Sequence, residues 1–576
     1  MQLLLLLLLL QDRHGWEQQT DSPTATCYGF RLVCQHAADH LWDLLHLDLK
    51  TAFLQGEHYN LSQRTVAVQL PNDIGLPPWM VGLCMRPVYG LNDAPRRWWN
   101  RLDKFLRAIG LEPTRADRCT YVCYQGTEGK NVKINSSKLA SHDSCFSSEE
   151  VESETVPQNS CFSSEKEKGL KDKGWFPFLG GHANVAHRAK ALRSTWWVLE
   201  RATDLRIENK PVFLEEEAAI VVSLFLPEKK AFATDQTPQL TPELVDELLE
   251  HFVDPVHGSN SKGRLSVGCL SLHVDDLIIT GSPKFLAWFL ESIKKRFTVG
   301  HEDRNDLMFT GQRVKWILDE KGNKKYISID QSLNVSELEG IVIPKNLKDD
   351  VKCDKALHTS YRSLLGSINW LQSRTQFQAC YKFSRLASAS ASPTIGNCKE
   401  LNKLCRSIKQ EPADMRIWPL KSKPRILGIP DAAFRNNSDK SSQRAMTIFM
   451  AEDRVKGKRD TRGSLVFFES TKIKRTTLST TVAELYALMK CFGTCQMLRG
   501  LWKDITGLDA EIHIRTDANN LVSAASTTHI PEQQETIHMI QMLRKEACSG
   551  AISDLSHVRT ERCLSDCLTK QSANIR

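Results

Sequence analysis

Leu265-Ser266-Val267-Gly268-Cys269-Leu270-Ser271-Leu272-His273-Val274-Asp275-Asp276-Leu277-Ile278-Ile279-Thr280-Gly281 is the most informative stretch of this 576-residue chain. It sets two adjacent carboxylates between two apolar, β-branched runs, the pattern of the two arms of a hairpin. Asp is a turn former in its own right, so the pair alone is compatible with an exposed turn. Adjacent carboxylates also repel each other, and a chain that holds both at the mouth of a half-buried hairpin usually offsets their charge with a cation. The stretch therefore points to a divalent metal site.

A second apolar run, Leu44-Leu45-His46-Leu47-Asp48-Leu49-Lys50-Thr51-Ala52-Phe53-Leu54-Gln55-Gly56, brings a third carboxylate, Asp48. Together the two segments resemble the palm of a reverse transcriptase. More narrowly they resemble the polymerases of copia-type retrotransposons, in which an Asp-x-Lys-Thr-Ala-Phe-Leu segment and a Val-Asp-Asp hairpin supply three metal-binding aspartates. A third segment, Tyr89-Gly90-Leu91-Asn92-Asp93-Ala94-Pro95-Arg96-Arg97-Trp98-Trp99, is similar to that family's Tyr-Gly-Leu-x-Gln-Ala-Pro-Arg block. The resemblance implies that Asp48, Asp275 and Asp276 are catalytic metal ligands. It implies that Lys50, Phe53, Tyr89, Gly90, Arg96 and His273 contact nucleotide or nucleic acid. Two residues depart from the family pattern: His273 stands where the hairpin usually has Tyr, and Asp93 replaces a Gln, adding negative charge where phosphates should pass.

The C-terminal portion carries its own constellation. Ile426-Leu427-Gly428-Ile429-Pro430-Asp431-Ala432-Ala433-Phe434 reads as a strand ending in a carboxylate, followed by strand-like runs at 445–451 and 464–469. Next come a helix from Thr480 to about Leu498, a strand at 511–515 leading to Asp517, a helix near 531–547, and a terminal segment with Asp566. Each acid has a structural reading of its own. Glu484 could close a capping box with Thr481, Asp517 could cap the next helix, Asp566 could pair with Lys570 one turn later, and Asp431 could be a turn residue. In order, however, three strands, a helix, then alternating strands and helices resemble an RNase H fold of the retroelement type. Its four acidic residues map onto Asp431, Glu484, Asp517 and Asp566, as catalytic metal ligands. The closing Ser565-Asp566-Cys567-Leu568-Thr569-Lys570 is similar to the family's terminal Ala-Asp-x-Leu-Thr-Lys block. Pro430 removes a backbone donor from what should be a central strand, and Ala433 stands where the family commonly has a further aspartate.

Length and composition suit a large enzyme with several domains. The net charge of +8 and pI of about 8.6 suit a polyanionic partner, although so mild an excess is common. The 17 cysteines include the pairs Cys119/Cys123, Cys491/Cys495 and Cys563/Cys567 without matched histidines, which argues against a zinc knuckle or finger and for reduced thiols. The apolar run at 3–10 lacks a basic flank and falls short of the ~20 residues that span a bilayer, so a leader of uncertain origin is expected rather than a membrane anchor. The resemblance begins near Cys27 or Arg31, so the family's fingers, with the basic residues that grip a triphosphate, are not visible before it.

Between Cys123 and Leu265 the chain is longer than the family's spacing. The first part, 126–173, is rich in Ser, Glu and Lys and repeats Ser144-Cys145-Phe146-Ser147-Ser148-Glu149 as Ser160-Cys161-Phe162-Ser163-Ser164-Glu165, a composition with too little apolar surface to fold. The remainder has helical patterning at 189–201 and 243–252, and Trp196-Trp197 reads as core rather than as a base-stacking platform. Beyond the hairpin, 285–297 reads as an amphipathic helix, and Tyr361-Arg362-Ser363-Leu364-Leu365-Gly366-Ser367-Ile368-Asn369-Trp370-Leu371 resembles the block leading into thumb and connection.

The expected fold is α+β: a truncated polymerase right hand of palm and thumb, then an RNase H-like α/β domain. The expected boundaries are a leader at 1–25, palm at 26–125 and 263–300, a partly disordered insertion at 126–262, thumb and connection at 301–424, and the RNase H-like domain at 425–576. The resemblance implies an RNA-dependent DNA polymerase with attached ribonuclease H. It would use two magnesium ions per site, with manganese as an alternative. Its partners would be an RNA template, a DNA primer, RNA–DNA hybrid, dNTPs and other retroelement proteins, in a cytoplasmic virus-like particle or the nucleus, without a membrane. The alternative is a decayed element that retains at most nucleic-acid binding or RNase H activity.

Overall fold

In the computed structural model, which describes residues 22–59, 65–69, 81–127, 265–452, 462–527 and 534–570, the chain enters through helix α1 (Cys27–Asp39). The Thr26 hydroxyl caps it by accepting from Gly29 N at 3.0 Å. All described residues fall in one unit, built from 1–143 and 261–576. The expectations for 3–10, for the serine-rich repeat, for the helices at 189–201 and 243–252 and for Trp196-Trp197 lie outside the described residues.

After α1 come β1 (Asp43–Leu49), a small sheet of β2 (Ala67–Gln69) with β3 (Val81–Leu83), and helix α2 (Ala94–Ala108). Strands β4 (Leu111–Pro113), β5 (Thr120–Tyr124), β6 (Ser266–His273) and β7 (Asp276–Gly281) follow, then helix α3 (Pro283–Lys294) and β8 (Val299–Arg304). Six of these strands form one antiparallel sheet in the order β4-β5-β6-β7-β1-β8. The expected hairpin is thus β6–β7, and the expected helix at 285–297 is α3, with Ser282 Oγ accepting from Phe285 N at 3.2 Å to start it.

Residues 277–280 are all buried, which explains a continuous apolar run instead of an alternating one: both faces of the sheet are covered. Leu277 and Ile279 pack with Trp98, Leu102, Phe285 and Phe289 of α2 and α3. Ile278 points the other way, into a core with Phe30 and Cys34 of α1.

A second sheet, ordered β12-β11-β10-β9, comprises β9 (Asp306–Phe309), β10 (Gln312–Leu318), β11 (Lys324–Asp330) and a last strand supplied after an intervening helical layer. That layer holds α4 (Ser332–Ser336), α5 (Lys355–Gln372), α6 (Cys380–Ser388) and α7 (Ile395–Gln410), which build their own core around Tyr361, Ile368 and Leu401. Strand β12 (Met415–Ile417) then returns to the sheet.

The C-terminal sheet has the order β15-β14-β13-β16-β17. Strands β13 (Arg425–Ala433), β14 (Gln443–Ala451) and β15 (Gly463–Lys472) are antiparallel neighbours. Helix α8 (Thr480–Thr506) crosses to β16 (Glu511–Thr516), which runs parallel to β13. Helices α9 (Asn519–Ser526) and α10 (Gln534–Cys548) lead to β17 (Asp554–His557), parallel to β16. The α+β class expected from the sequence is the one observed. Pro430 is accommodated because β13 pairs with β16 only from Arg425 to Gly428, so the missing donor falls beyond that ladder. Among the described residues no helix is long and apolar enough to cross a membrane.

Gly268 on β6 stands opposite Gly281 on β7, and the Phe285 ring lies over both. A Cβ at Gly268 would overlap that ring, so the pair of glycines lets α3 seat on the sheet. Gly268→Ala is therefore expected to lower the urea midpoint, by about 1–3 kcal/mol in stability. Gly366→Ala, in open space on α5, is expected to raise stability by about 0.5–1 kcal/mol.

Candidate active sites

Register builds the first site. Asp48 of β1 lies directly across from Asp276 of β7, and Asp275 sits in the turn that ends β6. The other turn residue, Val274, has φ 61°, a left-handed conformation that a β-branched side chain resists. Trp98 Nε1 donates to the Val274 carbonyl at 2.7 Å, and Leu49 N donates to the Asp275 carbonyl at 3.1 Å, so two neighbouring elements hold the turn in place.

As a result Asp48, Asp275 and Asp276, each half-buried, bring one carboxylate oxygen apiece within 4.8 Å of one another. Burial, then Asp276 and Asp48, push the Asp275 carboxyl above its ordinary range. Three hard oxygen donors under mutual repulsion fit a magnesium-class ion. Gly300 on β8 makes room: a Cβ there would stand 2.9 Å from Asp48 Oδ2. Buried His46 lies behind Asp276, with Nε2 3.3 Å from Asp276 Oδ1 and Nδ1 3.7 Å from Asp303 Oδ2. Neither Gly300 nor His46 was singled out from sequence. His46 was discoverable, because two residues before Asp48 on the same strand it must share that residue's face.

The other expected contacts surround this group unevenly. Phe53 and exposed Tyr89 place their ring centroids 4.7 Å apart. The Tyr89 hydroxyl is pushed up by burial and then by Asp275 and Asp48, so it lies in the field of the carboxylates. Gly90 takes φ 97° beside it, and Lys50 is exposed in the turn after β1. His273 pairs across the hairpin with Asp276, and burial followed by Arg374 pushes its imidazole down against the pull of Asp276. Arg96 stacks over the Trp99 ring at 4.8 Å. Asp93 corrects the sequence expectation. It is buried, accepting from Arg97 Nε at 2.7 Å and from the Tyr59 hydroxyl at 3.2 Å, so its charge is neutralised inside the fold instead of facing a phosphate path.

The second group gathers on the C-terminal sheet. Asp431 is 1% exposed within β13, so it is not a turn residue. Glu484 of α8 accepts from Ala432 N through Oε1 at 3.2 Å, while its Oε2 is buried without a hydrogen-bond partner among the described residues. It forms no capping box, since Ser479 caps α8 through Val482 N at 3.3 Å. Asp517 follows β16 and accepts from the Thr560 hydroxyl at 3.1 Å, and α9 begins after Ala518 without a side-chain cap. Asp566 differs, because Lys570 Nζ donates to its Oδ1, the pairing foreseen one turn apart.

The structure also brings Cys563 inward: its Sγ and one oxygen each from Asp431 and Asp517 lie within 4.8 Å of one another. Spacing gave no sign of this thiol. Burial and Asp517 raise the Asp431 carboxyl to about 7, despite the hydroxyl of Thr569 that donates to it. Burial, then Asp431 and Asp517, raise Glu484 to about 9. Such accumulated, partly orphaned carboxylate again fits a cation.

No family model matches the chain. Over 110 residues it is 31% identical to the retrovirus-related Pol polyprotein from transposon RE2 of Arabidopsis thaliana, a match that covers 19% of this chain and 7% of the polyprotein. Among solved structures, LC11-RNase H1 in complex with RNA/DNA hybrid is similar over 24% of this chain and 89% of that one, at 18% identity and a TM-score of 0.18. The foamy viral protease-reverse transcriptase in complex with RNA/DNA hybrid is similar over 58% of this chain and 39% of that one, at 12% identity and a TM-score of 0.33. Over that sequence stretch the chain is similar to the retrovirus-related Pol polyproteins of transposons. The copia-type resemblance read from its motifs agrees with that sequence relationship.

Folded Asp431 and Glu484 keep their protons to about 7 and about 9, whereas unfolded carboxyls release theirs at roughly 4. Between those limits the folded state binds more protons, so these two groups make metal-free protein less stable as pH rises through the window. Glu484→Gln keeps an acceptor for Ala432 N and removes the charge. In EDTA at pH 9 its thermal midpoint is expected to exceed that of the wild type, by on the order of 1–4 kcal/mol in stability, with the gap closing at pH 4. Circular dichroism melts at both pH values check this.

Proposed function

We propose that the chain is an RNA-dependent DNA polymerase with an attached ribonuclease H, from a copia-type retrotransposon. In this reading the palm is 26–125 with 263–300, the thumb and connection 301–424, and the ribonuclease H domain 425–576. One observation carries it: the β1–β7 register sets Asp48 against Asp276 and brings both within 4.8 Å of Asp275, at the end of the hairpin whose sequence resembles the family's.

Two magnesium ions per site, or manganese, held by Asp48, Asp275 and Asp276 and by Asp431, Glu484, Asp517 and Asp566, would activate a primer hydroxyl or a water and neutralise phosphate charge. The chain's own residues do the rest. His46 orients Asp276 from behind, and Trp98 holds the turn that carries Asp275. Phe53 and Tyr89 offer an aromatic wall beside the carboxylates on which a base or sugar can rest, with Lys50, Gly90, Arg96 and His273 as further nucleotide or nucleic-acid contacts. In the C-terminal site the substrate would be an RNA–DNA hybrid, read through backbone, groove shape and 2′-hydroxyls. The template, primer, hybrid and dNTPs place its work in the cytoplasm or nucleus, alongside other retroelement proteins. The long spacing between Cys123 and Leu265 favours a second reading, a decayed element that retains at most nucleic-acid binding or RNase H activity.

A gel assay with magnesium, dNTPs and a labelled primer on an RNA template separates these readings. Asp275→Asn with Asp276→Asn is expected to lower extension by at least about 100-fold while sparing hybrid cleavage. Glu484→Gln is expected to do the reverse. Folded wild-type protein that neither extends nor cleaves would establish the decayed reading.

A further inference from the structure

We infer that Cys563 is a ligand position of the C-terminal acidic site, and that with Asp431 and Asp517 it binds a thiophilic divalent ion of the zinc and cadmium class. The inference rests on the ribonuclease H reading of that site for its consequence, which is inhibition.

The geometry begins with the segment that carries the thiol. Cys563 follows a short helical turn at Thr560–Arg562, and its N–H donates to the Thr560 carbonyl at 3.0 Å. Beyond it the chain is laced along β13, just where pairing with β16 has stopped: the Ser565 hydroxyl donates to the Ile429 carbonyl at 2.5 Å, and the Thr569 hydroxyl donates to Asp431. These bonds fix the buried Cys563 against two carboxylates, with one donor atom of each residue inside 4.8 Å. Outside the group the sulfur makes a weak contact, 3.9 Å to the Pro430 carbonyl, and a hydrogen bond with the Ser565 backbone.

A sulfur and two carboxylate oxygens form a mixed donor set. In tetrahedral zinc sites, with zinc–sulfur bonds of about 2.3 Å and zinc–oxygen bonds of about 2.0–2.2 Å, ligand atoms stand roughly 3.3–3.8 Å from one another. The three donor atoms, within 4.8 Å of one another, would have to draw closer to reach that range on binding. Glu484 offers a further oxygen: its Oε2 is buried without a partner among the described residues. Oxygens alone select magnesium, whereas a thiolate selects zinc-like ions. Binding forms a metal–sulfur bond and releases the thiol proton to solvent, with no change of oxidation state. The bound ion then occupies carboxylates that the hard ions need.

Cobalt and cadmium report this directly, through thiolate-to-metal charge-transfer absorption on the full chain. Cys353→Ser serves as control, because Cys353 and Cys398 hold their sulfurs 3.4 Å apart and form another thiol pair. One equivalent of either ion is expected to give a band that Cys563→Ser loses, that Asp517→Asn weakens about tenfold in affinity, and that Cys353→Ser keeps. Cadmium should raise the thermal midpoint of the wild type and not that of Cys563→Ser. A band and a shift unchanged in Cys563→Ser overturn the inference. Should that variant fail to fold, X-ray absorption on wild type with one equivalent of zinc decides instead: one sulfur with oxygens supports the site, and a two-sulfur or all-oxygen shell overturns it. Hybrid cleavage by wild type in magnesium, with and without cadmium, separates the two ideas. A Cys563-dependent band without any magnesium cleavage sinks the ribonuclease reading alone, and cleavage without the band sinks this inference alone.

Discussion

Helix α1 is buried from 29 to 38, and both large sheets lean on it. Leu32 and Val33 join a core that runs from Val122 and Cys269 of the first sheet to Ile448 and Val466 of the C-terminal sheet and Leu488 of α8. On another side Phe30 and Cys34 pack with Phe309 and Trp316 of the second sheet. The helix carries a guanidinium into this junction. Arg31 Nη1 donates to the Val466 carbonyl at 3.0 Å, Nη2 donates to the Arg374 carbonyl at 2.5 Å, and the group stacks over Phe468 at 5.1 Å. Two carbonyls and a ring replace a carboxylate, and burial lowers the group to about 10. A buried cation costs several kcal/mol unless its geometry is well satisfied. Its partners on β15 and beside α5 therefore fix where those elements meet α1. A further pin is Tyr124, whose hydroxyl donates to the Asp504 carbonyl at 2.5 Å.

On that scaffold two acidic groups solve one electrostatic problem by different means. In the first, strand pairing forces Asp48 and Asp276 together, and half-burial leaves solvent to share the repulsion. In the second, a strand, a helix and a loop deliver the acids separately, and deeper burial raises Asp431 and Glu484 to about 7 and about 9. The two sites therefore differ in how strongly they hold protons before any cation arrives.

Much of this was legible in the chain. The β6–β7 hairpin follows from its apolar runs around Asp275-Asp276, and the three-strand, helix, strand order near the C-terminus follows from local periodicity and turn residues. Other features escaped because their causes are distant in sequence. Asp93 stands in a block expected to contact phosphates, and only the fold encloses it between Tyr59 and Arg97. Gly300 reads as an ordinary strand glycine until Asp48 is seen against it. Cys563 lacks any metal-ligand spacing, since its companions Asp431 and Asp517 come from two other elements.

Taken by itself, the sequence determined which segments become strands and helices and which carboxylates the chain has to offer. Hydrophobic period, capping and turn chemistry act over a few residues, so they can be read locally. Tertiary structure alone decided which side chains meet. His46 reaches Asp276 across 230 positions of chain, and the path of one short loop brings Cys563 to Asp431 and Asp517. Convergence of that kind depends on sheet register and on the packing of whole elements. Both are settled by the summed burial of many residues, which no single motif encodes.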